Sequence, residues 1–455
     1  MKLSGWPLLA ASSILLATFS NAETRPQYGA TLHLSTRIAP QSLEPADRAQ
    51  LESIAQRNLT RLMFDALVRM DERGKLQPAL ATSWQAAPGD QRWQFWLRRG
   101  VKFHDGSPLT PEAAAAAIRS ANPGWNVQPA ADSIIIESDT PDSDLPAQLA
   151  RTRNSISKRS EGGTLVGTGP FHIKEWQPGK RIALTANEGY WGGRPFLDEI
   201  EMELGKTSRD QLIALDLGKA EIAEVAPEQS HRASTEGRRV VSSAPVELMA
   251  MVFARESRSP EEGKLREALA LSIDRNAMRS VVLQGAGEPS GAILPNWISG
   301  YGFVFPAEQN LDRARQLRGE VRQAPLWTLG YDASDPLARV IAERVALNAG
   351  DAGLRLQATA SATSDIRLVR ITLASLNPRI ALAAVAAATS LPVPKFAGSS
   401  IESLYRVESE LLQTQRVIPL FQLPASYALS GRVKNWQQDR DGGQHLEKVW
   451  LGSKP

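Results

Sequence analysis

Residues 93–110 read Trp93-Gln94-Phe95-Trp96-Leu97-Arg98-Arg99-Gly100-Val101-Lys102-Phe103-His104-Asp105-Gly106-Ser107-Pro108-Leu109-Thr110, and this run decides the architecture. Trp93, Phe95 and Leu97 alternate with Gln94, Trp96 and Arg98, the period of a half-buried strand. Asp105-Gly106 marks a turn. Thr110 is placed to cap a helix, Pro111 suits its first position, and Glu112 favours the dipole. That helix continues from Ala113 to Ile118. Upstream, residues 31–36 alternate as a strand. Residues 59–68 carry Leu59, Leu62, Met63, Ala66 and Leu67 on one helical face. Asp71-Glu72-Arg73-Gly74 turns the chain between two strand-like pieces.

Downstream, Gly167-Thr168-Gly169-Pro170-Phe171 enters a strand at 172–176, and Gln177-Pro178-Gly179-Lys180 folds it back into Ile182-Ala183-Leu184. Asn187-Glu188-Gly189-Tyr190-Trp191 ends that hairpin, and 197–204 is another strand. A helix over 210–217 stops near Gly218, and Glu221 opens a strand. A third block begins near Val246, with a strand at 248–253 and a helix at 264–272. Asp274 caps a further helix that Gly285 ends. Strands at 324–329, 354–359, 366–373 and 417–420 alternate with helices at 336–348 and 402–413. Repeated strand–helix alternation predicts α/β layers. No internal repeat and no low-complexity tail interrupts it.

The chain has 455 residues, enough for two or three domains. A hydrophobic share of 42% and a charged share of 22% are ordinary globular values. The formal charge is +3 and the pI near 9.1, without the clustered basic face that nucleic-acid binding needs. Lys2, the apolar run 8–19 and Ser20-Asn21-Ala22 have the order of a secretory leader, so residues 1–22 are expected to be removed. The run is too short for about 30 Å of hydrocarbon. The Ala-rich stretch 380–388 is shorter still, and Arg379 flanks it. There is no cysteine, hence no disulfide, thiolate metal site or lipid-bearing Cys. Together these features predict a periplasmic protein, not lipid-anchored and without stable membrane insertion.

Five pieces in order resemble the extracellular solute-binding protein family 5, the dipeptide-, oligopeptide- and nickel-binding receptors of ABC importers. They are 96–110, Gly167-Thr168-Gly169-Pro170-Phe171, Asn187-Glu188-Gly189-Tyr190-Trp191, the run Leu265-Arg266-Glu267-Ala268-Leu269-Ala270-Leu271-Ser272-Ile273-Asp274-Arg275, and Ile418-Pro419-Leu420-Phe421. The resemblance implies an α/β, two-lobed periplasmic binding protein of type II with a hinge, closing on ligand in the cleft. Lobe I would comprise 23–252 plus 424–455, with an insertion subdomain at about 49–165 that is short for the family. Lobe II would be 253–423. The expected partners are a small-molecule or peptide-like solute and ABC permease subunits, the chain being a monomer without cofactor.

Peptide-binding members of this family carry Trp-x-x-Asp-x-x-Asp-Pro, whose first Asp pairs with the ligand's amino group. Here the equivalent stretch is Ile371-Thr372-Leu373-Ala374-Ser375-Leu376-Asn377-Pro378, which puts Ala374 at that position. No Asp or Glu occurs from 366 to 401, so no shift of register recovers the carboxylate. Losing one partner of a desolvated ion pair costs about 3–5 kcal/mol. The ligand is therefore not expected to be an ordinary peptide held by its amino terminus. The expected ligand-contacting residues are Arg370, Ala374, Ser375, Asn377, Trp297, Tyr301 and Phe253. Arg367, Arg370, Arg379 and Lys395 would suit an anionic solute, although alternate strand residues such as Arg367 also fit a solvent face. Trp297 and Tyr301 lie in a Pro- and Gly-rich loop, where binding residues concentrate, and core packing is the competing role for them.

Enzyme motifs are missing. The five histidines form no His-Glu-x-x-His and no zinc pair. His104-Asp105 is accounted for by the Asp105-Gly106 turn. Gly205-Lys206-Thr207 lacks the upstream glycine of a phosphate loop, Ile200 standing there. No Gly-x-Ser-x-Gly elbow occurs, and nothing singles out a catalytic pair of carboxylates. The leading expectation is a solute receptor that feeds an importer. The alternative is a receptor-derived sensor or partner-docking protein without transport, motivated by the short insertion and the missing Asp.

Overall fold

Two long antiparallel strands, Arg239–Phe253 and Val417–Leu429, run through the middle of an eleven-stranded sheet and tie its halves together. The structure is a computed structural model that describes residues 25–47, 53–302, 304–361 and 363–453; the expected leader lies outside them. On one side of the long pair stand Ile222–Val225, Thr31–Ser35, Glu199–Glu203, Arg181–Ala186 and Phe171–Gln177. On the other stand Ile366–Thr372, Leu326–Gly330 and Arg355–Thr359.

The long pair changes character at Pro245 and Pro424, which face each other across it. Neither can donate a ladder hydrogen bond. The register slips on both sides of Pro245, between Ser242 and Glu247. Before the slip, Val240 and Val241 pair with Ala428 and Tyr427, and Tyr427 and Leu429 belong to a core with Leu32, Leu184 and Ile200. Beyond it, Met249, Met251 and Phe253 enter a second core with Leu269, Ile341 and Phe421. Leu248, Ala250 and Val252 point to the opposite face, against Leu382, Val385 and Leu404. Burial on both faces explains why 248–253 is apolar without interruption.

A separate four-stranded sheet, Ala81–Ala86, Arg92–Leu97, Ser133–Glu137 and Asn126–Pro129, carries its own core, with Phe95, Ile118 and Ile134 fully buried. Thr110 caps the Pro111–Ala121 helix against it by accepting from the Ala113 amide. The first helix differs from expectation. It spans Ile54–Met63 and not 59–68, because Phe64 turns extended and closes it through its amide on Thr60. Residues 64–67 then run past the glycine turn at 167–169. That turn needs its glycines: a Cβ on Gly167 would lie 2.2 Å from the Met63 carbonyl oxygen, and one on Gly169 2.5 Å from the Met63 carbonyl carbon. The Ala-rich stretch, expected only not to be a membrane span, forms the helix Pro378–Ala388. No helix among the described residues is long and apolar enough to cross a membrane.

Candidate ligand pocket

A cavity of about 190 Å³ opens between the end of the first helix, the subdomain, the C-terminal segment 439–448 and the segment 374–376 after the Ile366–Thr372 strand. Its first-lobe wall is polar and tightly built. Asp65, placed by the abrupt end of the helix, accepts from Thr168 Oγ1 at 2.9 Å, Tyr190 Oη at 3.1 Å and Trp191 Nε1 at 2.9 Å. Burial pushes its carboxyl up to about 6, while those three donors hold it from rising further. The Tyr190-Trp191 motif is thus the support of a buried carboxylate on the pocket wall.

The helix contributes two guanidiniums, Arg57 and Arg61, one turn apart on the same face. Both meet Asp441, at 3.4 and 3.0 Å. Burial works against the Asp441 charge, yet Arg61 and Arg57 outweigh it and hold the carboxyl below the ordinary carboxylate range. Arg57 also donates to the backbone carbonyl of Leu373, across the cleft. Asn58 pins the C-terminal segment by donating to the Gly442 carbonyl and accepting from the Gln444 amide. Farther along that segment, hydrogen bonds to Asp439 and Glu447 outweigh burial and raise His445 to about 9, so it is protonated at neutral pH.

The opposite wall is Ala374, Ser375 and Leu376. The seven expected site residues divide there. Ala374 and Ser375 line the cavity. Asn377 caps the Pro378–Ala388 helix by accepting from the Arg379 and Ile380 amides, and donates to Asp144 of the subdomain at 2.9 Å. Arg379 also reaches Asp144, at 2.6 Å. Arg370 is held between Glu247 and Asp335, which occupy its guanidinium. Phe253 sits inside the second core, edge-on to Trp327 and beneath Arg266. Tyr301 donates to the buried Glu408 at 2.6 Å, and Trp297 donates to the Pro245 carbonyl with Arg440 stacked over its ring. Arg367 and Lys395 are exposed, away from the cavity wall.

The residues that build the wall were mostly not singled out from sequence. Two arginines at i and i+4 on a helix were a readable signal, as was the dense Asp439-Arg440-Asp441 run. Their meeting depends on chain segments 384 residues apart. His104, tempting as a base, receives the Gly167 amide on Nδ1 and has Nε2 3.1 Å from the Gly169 carbonyl. Burial drops its pKa to about 4, the state of a neutral ring bracing the glycine turn.

Residues 75–365 match the family of bacterial extracellular solute-binding proteins, family 5 (middle region). An uncharacterized protein YhjP of Bacillus subtilis is 32% identical over 180 residues, 36% of this chain and 31% of that one. A probable di/tripeptide-binding protein 5 of Pseudomonas aeruginosa is 24% identical over 371 residues, 70% of each chain. The chain therefore aligns with only about a third of the first relative's length. Among solved structures, NikA from Staphylococcus aureus in complex with Ni(L-His)2 superposes with TM-score 0.79 at 17% identity, covering 93% of this chain and 100% of that one. Such a likeness establishes the two-lobed type II periplasmic binding fold. On the match over residues 75–365, the chain belongs to bacterial extracellular solute-binding protein family 5.

Proposed function

We propose that this protein is the periplasmic substrate-binding component of an ABC importer of the peptide/nickel type, and that it captures a small solute and delivers it to permease subunits without chemistry. The observation that carries this reading is the cavity itself. It has one wall from the first lobe and the C-terminal segment and another from residues 374–376 beyond the hinge strands. A site divided between two bodies binds tightly only when they close, which couples occupancy to shape. Relatives named for di- and tripeptides, and a structural neighbour holding a nickel–histidine complex, support the solute class. Ala374 in place of an acidic residue supports a ligand not gripped by an amino terminus.

In this reading the lobes part at the proline pair, near 243–246 and 424–425, and not at 252/253. The subdomain begins after the first helix and ends near Val166. Ala374 and Ser375 contact solute, while Arg370, Asn377, Trp297, Tyr301 and Phe253 hold the framework. Residues 1–22 act as a cleaved leader. X-ray scattering of the mature protein tests the reading: a periplasmic extract should reduce the radius of gyration. Unchanged scattering with every extract fraction would refute it, and so would unaltered solute uptake in a strain lacking the gene.

A further inference from the structure

The charges on the pocket wall are not balanced, and the way they are paired points to one class of solute. Each carboxylate there already has its partners. Asp65 is met by Thr168, Tyr190 and Trp191; Asp441 by Arg57, Arg61 and the Gly443 amide; Asp439 and Glu447 by His445. An incoming ammonium would have to displace one of these partners. The opposite wall offers it no carboxylate, since residues 374–376 carry no charge.

The cations are arranged differently. Arg69 and Lys448 line the same cavity and are exposed at its mouth. Among the described residues neither has a carboxylate partner; Lys448 Nζ donates only to the Gln437 side chain, at 3.1 Å. They stand on separate elements, the short strand Val68–Met70 and the C-terminal segment, so they face the opening from two sides. Wall cations outnumber wall carboxylates six to four: Arg57, Arg61, Arg69, Arg151, His445 and Lys448 against the four acids named above. Between these cations lie Leu62, Phe64, Val68 and Met70.

We infer that the pocket takes a small organic anion, an acid group on an apolar body, and that Arg69 and Lys448 are its specificity-determining residues. This rests on the receptor reading and narrows it. Cations without a carboxylate partner at a mouth attract an anion during approach and then hydrogen-bond its acid group, with an advantage that salt screens. The apolar side chains between them cover the rest of the solute.

The test is titration calorimetry on the mature protein at pH 7 with three probes. N-acetyl-alanyl-alanine and succinate carry carboxylate without ammonium; alanyl-alanine amide carries ammonium without carboxylate. The expected result is heat of binding from at least one acid and none from the amide, with affinity falling as salt rises. Arg69→Ala and Lys448→Ala should each weaken the acid by about fivefold to tenfold. Their melting temperatures should match the parent's, since both side chains are exposed. Binding of the amide, or no binding of either acid at millimolar concentration, overturns the anion assignment. Acid binding indifferent to both variants overturns the role of the two residues. Compaction by periplasmic extract without acid binding removes only this inference, whereas absence of compaction removes the receptor reading beneath it.

Discussion

The two walls of the pocket are built on different principles. The first-lobe wall is a set of buried charges, each with named partners from segments far apart in the chain: Asp65 with Thr168, Tyr190 and Trp191, and Asp441 with Arg57 and Arg61. The second-lobe wall is Ala374, Ser375 and Leu376, small and uncharged, with Ser375 touching Met70 across the gap. Buried charge is costly to rearrange, so the first wall is a rigid template. Residues 374–376 themselves form no ion pair with the opposite wall, which on the receptor reading suits the moving side of a closing cleft.

Mutations on the two walls should therefore differ sharply. Asp65→Ala leaves the buried Thr168 hydroxyl and the half-buried Tyr190 and Trp191 donors without an acceptor, at about 1–3 kcal/mol each. A loss of about 4 kcal/mol is expected in denaturant unfolding, against about 1 kcal/mol for Ser375→Ala, which frees the Asn377 amide and removes a weak contact with Met70 Sδ. Equal losses from the two would erase the comparison. Asp441→Asn removes the counter-charge of Arg57, which is 3% exposed, and should cost about 3 kcal/mol. The same pair predicts acid sensitivity. A carboxyl held below its ordinary pKa stabilises the fold above about pH 4 and loses that contribution as pH falls.

His445 gives the opposite slope. Its folded pKa of about 9 exceeds the ordinary 6.5, so its stabilisation is complete below pH 6.5 and fades as pH rises toward 9. With the side chain 27% exposed, about 2 kcal/mol is expected, seen as a melting temperature that declines over that window and stays level in His445→Gln. The smallest effect belongs to Arg379→Ala. Its pair with Asp144 joins the second lobe to the subdomain outside the pocket, and its loss should cost about 1 kcal/mol. On the receptor reading that contact spans the closing gap, so the variant should also scatter as a more open molecule; a radius of gyration identical to the parent's would remove Arg379 from the closure.

Local grammar made much of the fold readable before any coordinates. Thr110-Pro111-Glu112 predicts the start of a helix, and the capping bond to Ala113 is there. Asp274 predicts another, and it accepts from the Ala277 amide. Alternation at 93–97 predicts the strand Arg92–Leu97. The spacing at 59–68 does not show where the first helix ends, because its end at Met63 is imposed by the glycine turn packed against it and by the partners of Asp65, neither of which is local. Arg370 is expected to face ligand because it lies beside the stretch equivalent to the family's ligand motif; its pairing with Glu247 and Asp335, from two other elements, is not legible in the sequence.

Sequence by itself determined the ordered motifs, the α/β layering and the lack of any Asp or Glu from 366 to 401, because each depends on residue identity and short-range spacing. Only the tertiary structure decided which charges face the cavity and which are already paired. Ion pairing depends on distance in space, and Arg57 and Asp441 are brought together only by folding of the whole chain.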